Sequence, residues 1–155
     1  LKITRTTKLS TEERSQVLAL WNSQYPVKLA YHSLAYFDVY LQNLTDLTYY
    51  LWKDNESNIL GWASTFTRDD EKWFAIILTE TLQGKGFGRK MLDELKQHEP
   101  VLNGWVIDHD NDIKKNGEFY KSPLKFYVKC DFNILADQRI ELEKISAVKI
   151  KWTKP

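Results

Sequence analysis

The sequence predicts an α/β fold, a mixed central sheet of about seven strands flanked by about four helices. Three observations carry this expectation. Trp73 to Leu78 is a continuous apolar run, short, β-branched and aromatic, as expected of a strand buried on both faces. That run leads through a turn holding Gly84, Gly86 and Gly88 into Phe87, Met91, Leu92 and Leu95, apolar positions at helical spacing with Arg89, Lys90, Asp93 and Glu94 between them. The segment after this helix, Val101 to Asp108 with Trp105-Val106-Ile107 at its centre, is again a strand. Strand, helix, strand implies a parallel pair joined by a right-handed crossover.

The other elements follow in order. Lys2 to Thr6 alternates and predicts an edge strand. Ser10 with Glu13 makes a capping box for a helix that carries Val17, Leu18 and Trp21 and stops before Tyr25-Pro26. A second helix starts near Ser33, with Leu34, Phe37, Leu41 and Leu44 at helical spacing. Leu47 to Lys53 and Ile59 to Thr67 read as strands joined by the turn Asp54 to Asn58. Arg68 to Lys72 is a charged hairpin tip leading into the Trp73 strand. Ser122-Pro123 opens a short helix, Ser as N-cap and Pro at its first position. Ile134 to Glu143 and Ile145 to Trp152 form a closing strand pair.

Composition narrows the function classes. A chain of 155 residues fits one domain with a sizeable core. A net charge of +1 argues against general nucleic-acid binding, which requires a strong basic excess. One cysteine excludes an intrachain disulfide, and a reducing cytoplasm is the default expectation. No apolar run approaches the length of a membrane span. Asp108-His109-Asp110-Asn111-Asp112 has metal-ligand types, but consecutive side chains cannot converge on one ion, so no metal is expected.

Strand, glycine turn, helix is a physical recipe for holding phosphate. The first N–H groups of a helix have no partner inside it, and the helix dipole there favours negative charge. Glycine allows positive φ and close backbone approach, and Lys85, Arg89 and Lys90 add positive charge. The turn lacks the hydroxyl after a lysine that would hold a magnesium ion beside a nucleoside triphosphate. It also lacks the third glycine of a dinucleotide turn, since Arg89 stands at that spacing.

Gln83-Gly84-Lys85-Gly86-Phe87-Gly88 resembles the Q/R-x-x-G-x-G/A signature of the GNAT superfamily of acyl-CoA N-acyltransferases. Leu124 to Phe132 resembles a second signature, A-x-x-F-Y-x-x-x-G-F, matching at Phe126, Tyr127 and Phe132, with Asp131 in place of the usual glycine. The resemblance implies a GNAT fold spanning residues 1–155 as one acetyltransferase domain. It implies transfer of an acetyl group from acetyl-CoA to a primary amine, on a small molecule or a protein, by direct attack in a ternary complex. The amides of Gly84, Lys85, Gly86, Phe87 and Gly88, with Gln83 and Arg89, would hold the coenzyme A pyrophosphate. Backbone groups at Leu78 would pair with pantetheine, where the Trp73 and Trp105 strands splay. Tyr127 would give a proton to the leaving sulfur, a phenol of pKa ~10 facing a thiolate of ~8.5. Glu80 leads the candidates for the general base, with Asp108, His109 and a water relay as alternatives. Cys130 reads as buried structure. Tyr25, Tyr31, His32, Tyr36 and Tyr40 border the acceptor side and suggest an acceptor with an apolar or aromatic part. The rival reading is a non-catalytic GNAT-fold module that binds acyl-CoA or serves interaction. Homodimerisation through the closing strands stays open.

Overall fold

The computed structural model describes residues 1–155. Its strands are β1 (Lys2–Thr6), β2 (Thr45–Lys53), β3 (Ile59–Arg68), β4 (Glu71–Leu78), β5 (Val101–Val106), β6 (Asn133–Leu142) and β7 (Ile145–Thr153). Its helices are α1 (Thr11–Gln24), α2 (Leu34–Gln42), α3 (Phe87–His98) and α4 (Leu124–Lys129), with 3₁₀ turns at Val27–Leu29 and Glu80–Leu82. The strands form one seven-stranded sheet in the order β1-β2-β3-β4-β5-β7-β6. Every neighbouring pair is antiparallel except β4 and β5.

The predicted capping box forms. Ser10 Oγ accepts from the Glu13 amide at 3.1 Å, and Glu13 returns a carboxylate oxygen to the Ser10 amide at 2.9 Å. α1 stops at Tyr25, which is extended before Pro26. Ser33 caps α2 by accepting from the Tyr36 amide. The start of α4 lies one residue later than expected. Pro123 is the N-cap, and the Ser122 hydroxyl accepts from the Leu124 amide two residues on, so Ser122 closes a tight turn rather than capping directly. β5 stops at Val106, short of the expected Asp108, because its last partner on β7 is Val148.

The sheet carries two cores. On one face α3 and α4 bury Met91, Leu92, Leu95 and Tyr127 against Phe74, Leu102 and Phe132. On the other, α1 and α2 bury Val17, Trp21, Phe37 and Leu41 against Trp62 and Ile77. Met91, Leu92 and Leu95 are fully buried, each worth about 1.5–3 kcal/mol, and they seat α3 directly behind the glycine turn.

The feature that positions the site is an interruption. β4 and β5 pair only at Trp73 and Asn103. Beyond that point β4 continues along β3 as far as Gly61 opposite Leu78, while β5 continues along β7. The C-terminal halves of these two parallel strands therefore have partners outside and none between them. Gly104 allows the close approach where they do meet: a Cβ there would stand 2.9 Å from the Phe74 ring.

α4 ends in a Schellman motif. Asp131 takes the left-handed conformation at φ 72°, its amide donates to Val128 O, and the Phe132 amide donates to Tyr127 O at 3.1 Å. The accompanying apolar contact is Tyr127 against Phe132, ring centroids 5.6 Å apart. Aspartate thus fills the position usually taken by glycine, at some strain. Asp131→Gly should raise stability by about 0.5–1 kcal/mol, seen as a rise of about 1–4 °C in melting temperature. Across the sheet, Arg139 on β6 clasps Asp108, just past β5, at 2.7 and 3.1 Å. Those hydrogen bonds hold the Asp108 carboxyl below its usual range. A depressed carboxyl stabilises the fold above its unfolded pKa and loses that contribution as pH falls through the folded value. Arg139→Gln should therefore lower the melting temperature at neutral pH, and the gap from the parent should close below about pH 4; melts over a pH series check this.

Candidate active site

At the foot of the opening between β4 and β5 lies the glycine turn. Gly84 and Gly86 have φ of 72° and 89°, the left-handed region that glycine adopts freely. A Cβ at either would meet nothing within 4 Å, so the space above the turn is open and the constraint is conformational. Gly86 is the N-cap of α3, and Lys90 is the first residue of the helix whose amide is bonded, to Gly86 O at 3.1 Å. None of the amides from Gly84 to Arg89 donates to a group of the protein. Gly88 serves packing, since a Cβ there would stand 3.0 Å from Phe126 Cζ. The Trp52 indole donates to Phe87 O at 3.2 Å and pins the turn from beneath.

The side chains of the turn behave differently from its amides. Gln83 Nε2 donates to Leu78 O at 2.9 Å and to Gln24 Oε1 at 3.1 Å, tying the end of β4 to α1. Arg89 donates to Lys129 O at the end of α4. Lys90 lies over the Phe87 ring, and Lys85 is exposed. Two of the expected phosphate ligands, Gln83 and Arg89, are engaged with the framework through their side chains. Backbone N–H groups and Lys85 remain to meet an anion.

The alternation of β4 orients the next set of groups. The Thr79 amide donates to Leu60 O on the β3 side at 2.8 Å. Successive residues of an antiparallel ladder point their amides to opposite sides. The N–H groups of Leu78 and Ile76 therefore face the opening toward β5.

Tyr127 reaches the same region from α4. Its ring is 7% exposed and packs on Phe74, Phe126 and Phe132. Its hydroxyl makes no hydrogen bond in the protein, yet it is not among the sealed polar atoms. Burial, then the nearby Tyr120, pushes the phenol well above its ordinary pKa. Cys130, next along, is buried and its thiol is also pushed up by burial, which keeps it protonated and unreactive.

The three base candidates separate clearly. Asp108 is clasped by Arg139 and its carboxyl is depressed, which makes it a poor proton acceptor. His109 accepts the Asn111 amide at Nδ1, so its neutral ring carries the proton on Nε2, which faces Asp112 at 3.9 Å. Glu80 follows β4 directly, is 60% exposed, and has one ionic partner, Lys114 at 3.4 Å. Of the three, Glu80 has much the most exposed side chain, against 24% for Asp108 and for His109.

Of the aromatic group on the acceptor side, Tyr25, Tyr31 and Tyr40 gather around Trp21, with ring centroids 4.7, 5.4 and 5.2 Å from it. His32 and Tyr36 face solvent. Sequence reasoning missed Tyr120. It comes from the long segment between β5 and α4, which folds back so that the Val27 amide donates to Ile113 O, and Tyr120 lies 6.4 Å from Tyr25. Burial, then the Asp112 carboxylate, pushes its phenol up to about 12. The only signal in the sequence was a lone tyrosine in a polar stretch, and nothing local says that the stretch returns to α1.

Comparison with known proteins agrees with this geometry. The family model of the acetyltransferase (GNAT) family matches residues 14–112. No curated protein matches the sequence. Among solved structures, an aminoglycoside 6'-N-acetyltransferase complexed with coenzyme A superposes with a TM-score of 0.74 at 10% identity, covering 99% of this chain and 97% of that one. A phosphinothricin acetyltransferase from Sinorhizobium meliloti, in complex with AcCoA, gives 0.69 at 10% identity over 99% and 89%. A spermidine N-acetyltransferase from Vibrio cholerae, in complex with CoA and spermine, gives 0.67 at 15% identity over 98% and 95%. These likenesses establish the fold, and the family match over well more than half of the sequence establishes membership: the chain belongs to the acetyltransferase (GNAT) family.

Proposed function

We propose that the protein is an N-acetyltransferase that moves an acetyl group from acetyl-CoA to a primary amine in a ternary complex. The observation that carries this is the run of amides from Gly84 to Arg89, none satisfied within the protein, at the N-terminus of α3 and the foot of the β4–β5 opening. Such a nest suits a pyrophosphate, and the opening above it has the right character for pantetheine, an extended chain that pairs with strand backbone.

The chemistry then follows the chain's own groups. The Leu78 N–H faces the thioester oxygen and takes up the charge that develops there as the amine nitrogen bonds to the carbonyl carbon. Glu80 accepts the proton released by the attacking amine. The C–S bond breaks, its electron pair goes to sulfur, and the Tyr127 hydroxyl donates to that sulfur. Because burial raises the phenol well above a thiol, Tyr127 acts chiefly by holding a hydrogen bond to the leaving thiolate rather than by surrendering its proton outright.

Two measurements test this. Acetyl-CoA at about a hundredfold over its Kd should stabilise the protein by about 2.7 kcal/mol, a shift of about 5–10 °C in melting temperature, with no shift from ATP. Absence of the acetyl-CoA shift, in protein freed of bound coenzyme A, would remove the site. Tyr127→Phe should lower kcat by about 10²-fold and leave the acetyl-CoA shift intact. Unchanged turnover would deny Tyr127 its role, and binding without turnover in the parent would favour the non-catalytic module.

A further inference from the structure

The hairpin between β5 and α4 carries one group that the proposed chemistry leaves unused. It runs from Asp112 to Tyr120: the Tyr120 amide donates to Asp112 O at 2.8 Å, the Lys114 amide donates to Glu118 O at 2.8 Å, and Ile113 pairs with Phe119. Gly117, at φ 87°, closes the turn and donates to Lys114 O at 2.9 Å. Lys114 thus has both backbone groups bonded, and its side chain is 12% exposed. That side chain ends 3.4 Å from Glu80 Oε1, with the Glu118 carboxylate at 4.0 Å. Glu80 is the less anchored partner, since it opens a single 3₁₀ turn and its side chain is largely exposed.

The hairpin does not carry Lys114 alone. Three consecutive residues after α1 meet three of the hairpin in antiparallel order. Pro26 pairs with Lys114, the Val27 amide donates to Ile113 O at 2.8 Å, and Lys28 Nζ meets Asp112 Oδ1 at 2.8 Å. Two residues before Pro26 stands Gln24, whose Oε1 accepts from Gln83 Nε2, and the same Nε2 donates to Leu78 O. The contacts close a ring through Leu78, Gln83, Gln24, Pro26, Lys114 and Glu80, and Glu80 is two residues along the chain from Leu78. The ring ties the proposed proton acceptor to the strand end that carries the proposed oxyanion donor.

A carboxylate on an exposed turn has rotamer freedom, which a base gives up when it meets the amine. Lys114 engages Oε1, and Oε2 has no hydrogen bond or ion pair within the protein. One oxygen is held and the other is left to take a proton. Resting on the acetyltransferase reading, we infer that Lys114 is a positioning residue. Its ammonium holds the Glu80 carboxylate in the orientation that receives the proton of the acceptor amine, and Glu118 competes for the same cation.

The test uses the full chain and thiol release from acetyl-CoA with spermidine, kanamycin, 2-phenylethylamine and dialanine as trial acceptors. Lys114→Met should lower kcat about tenfold or more, with the KM for acetyl-CoA and the acetyl-CoA melting shift unchanged. Lys114→Arg should recover most of the loss, since a guanidinium meets the same carboxylate. In a Glu80→Gln background, itself at least as slow, Lys114→Met should change kcat by less than about twofold. A merely structural role would not produce that coupling. Should Lys114→Met fail to fold, Lys114→Gln, which keeps a donor but no charge, is read the same way. Glu118→Gln removes the competing carboxylate and should leave kcat at or above that of the parent. Parental kcat in Lys114→Met, an equal loss with and without the Glu80 carboxylate, or a tenfold fall in Glu118→Gln would overturn the inference and leave the activity standing. Parental turnover in Glu80→Gln would instead remove the base and the role of Lys114 with it. Release with none of the four amines, beside a normal acetyl-CoA shift, would overturn both in favour of the non-catalytic module.

Discussion

The rest of the structure depends on the loss of pairing between β4 and β5 after Trp73 and Asn103. Two parallel strands in the middle of a sheet would normally hydrogen-bond along their whole length, since unpaired buried backbone groups are costly. Here each strand is held from outside. β3 follows β4 to its end, β7 follows β5 to Val106, and the Asp108–Arg139 clasp fastens the chain just beyond β5 to the far edge of the sheet. Gln83 takes the Leu78 carbonyl, one of the groups that the missing partner would have used. The N–H groups of Ile76 and Leu78 are left facing the opening, and a ligand with amide groups along an extended chain would satisfy them.

That opening explains why the glycine turn and α4 converge where they do. α3 packs through Met91, Leu92 and Leu95 behind the sheet, which fixes its N-terminus below the gap. Gly88 lets α3 approach the Phe126 ring closely, and the Schellman exit through Asp131 turns Phe132 back onto Tyr127. A short helix of this kind has little stability of its own. Its position comes from tertiary contacts, so the placement of Tyr127 depends on the apolar core more than on local helix preference.

The framework was legible in the sequence because its signals are local. The Ser10–Glu13 box, the helix start near Ser33, the apolar run of β4 and the stripe of α3 each depend on short stretches of chain, and each forms as expected. The roles of Gln83 and Arg89 were less legible. Both side chains stand at the phosphate turn, but each finds a carbonyl held there by distant chain, Leu78 in one case and Lys129 in the other. Tyr120 was not legible at all. Its place depends on the segment after β5 folding back to Pro26 and Val27, a long-range pairing with no periodicity to announce it. The same holds for the cations at the site: Lys28, Lys114 and Arg139 find their carboxylates across loops and strands far apart in the chain.

These long-range charge pairs set the electrostatic character of the site. Asp108, Asp112 and Glu80 sit in the segments bordering it, and in a half-buried setting three uncompensated carboxylates would repel the phosphates and the developing oxyanion alike. Lys28, Lys114 and Arg139 each offset one of them, which reduces the field that the backbone amides proposed for the ligand, at Leu78 and at Gly84 to Arg89, would have to work against. The tyrosines are pushed up for a different reason. Burial is the first cause and neighbouring phenols add to it, so the phenols of Tyr25, Tyr40 and Tyr127 are held well above the ordinary value. A phenol so placed can donate a hydrogen bond at any pH the fold tolerates but yields its proton reluctantly. In the proposed reaction the leaving sulfur would therefore depart as a hydrogen-bonded thiolate and gain its proton once it meets water.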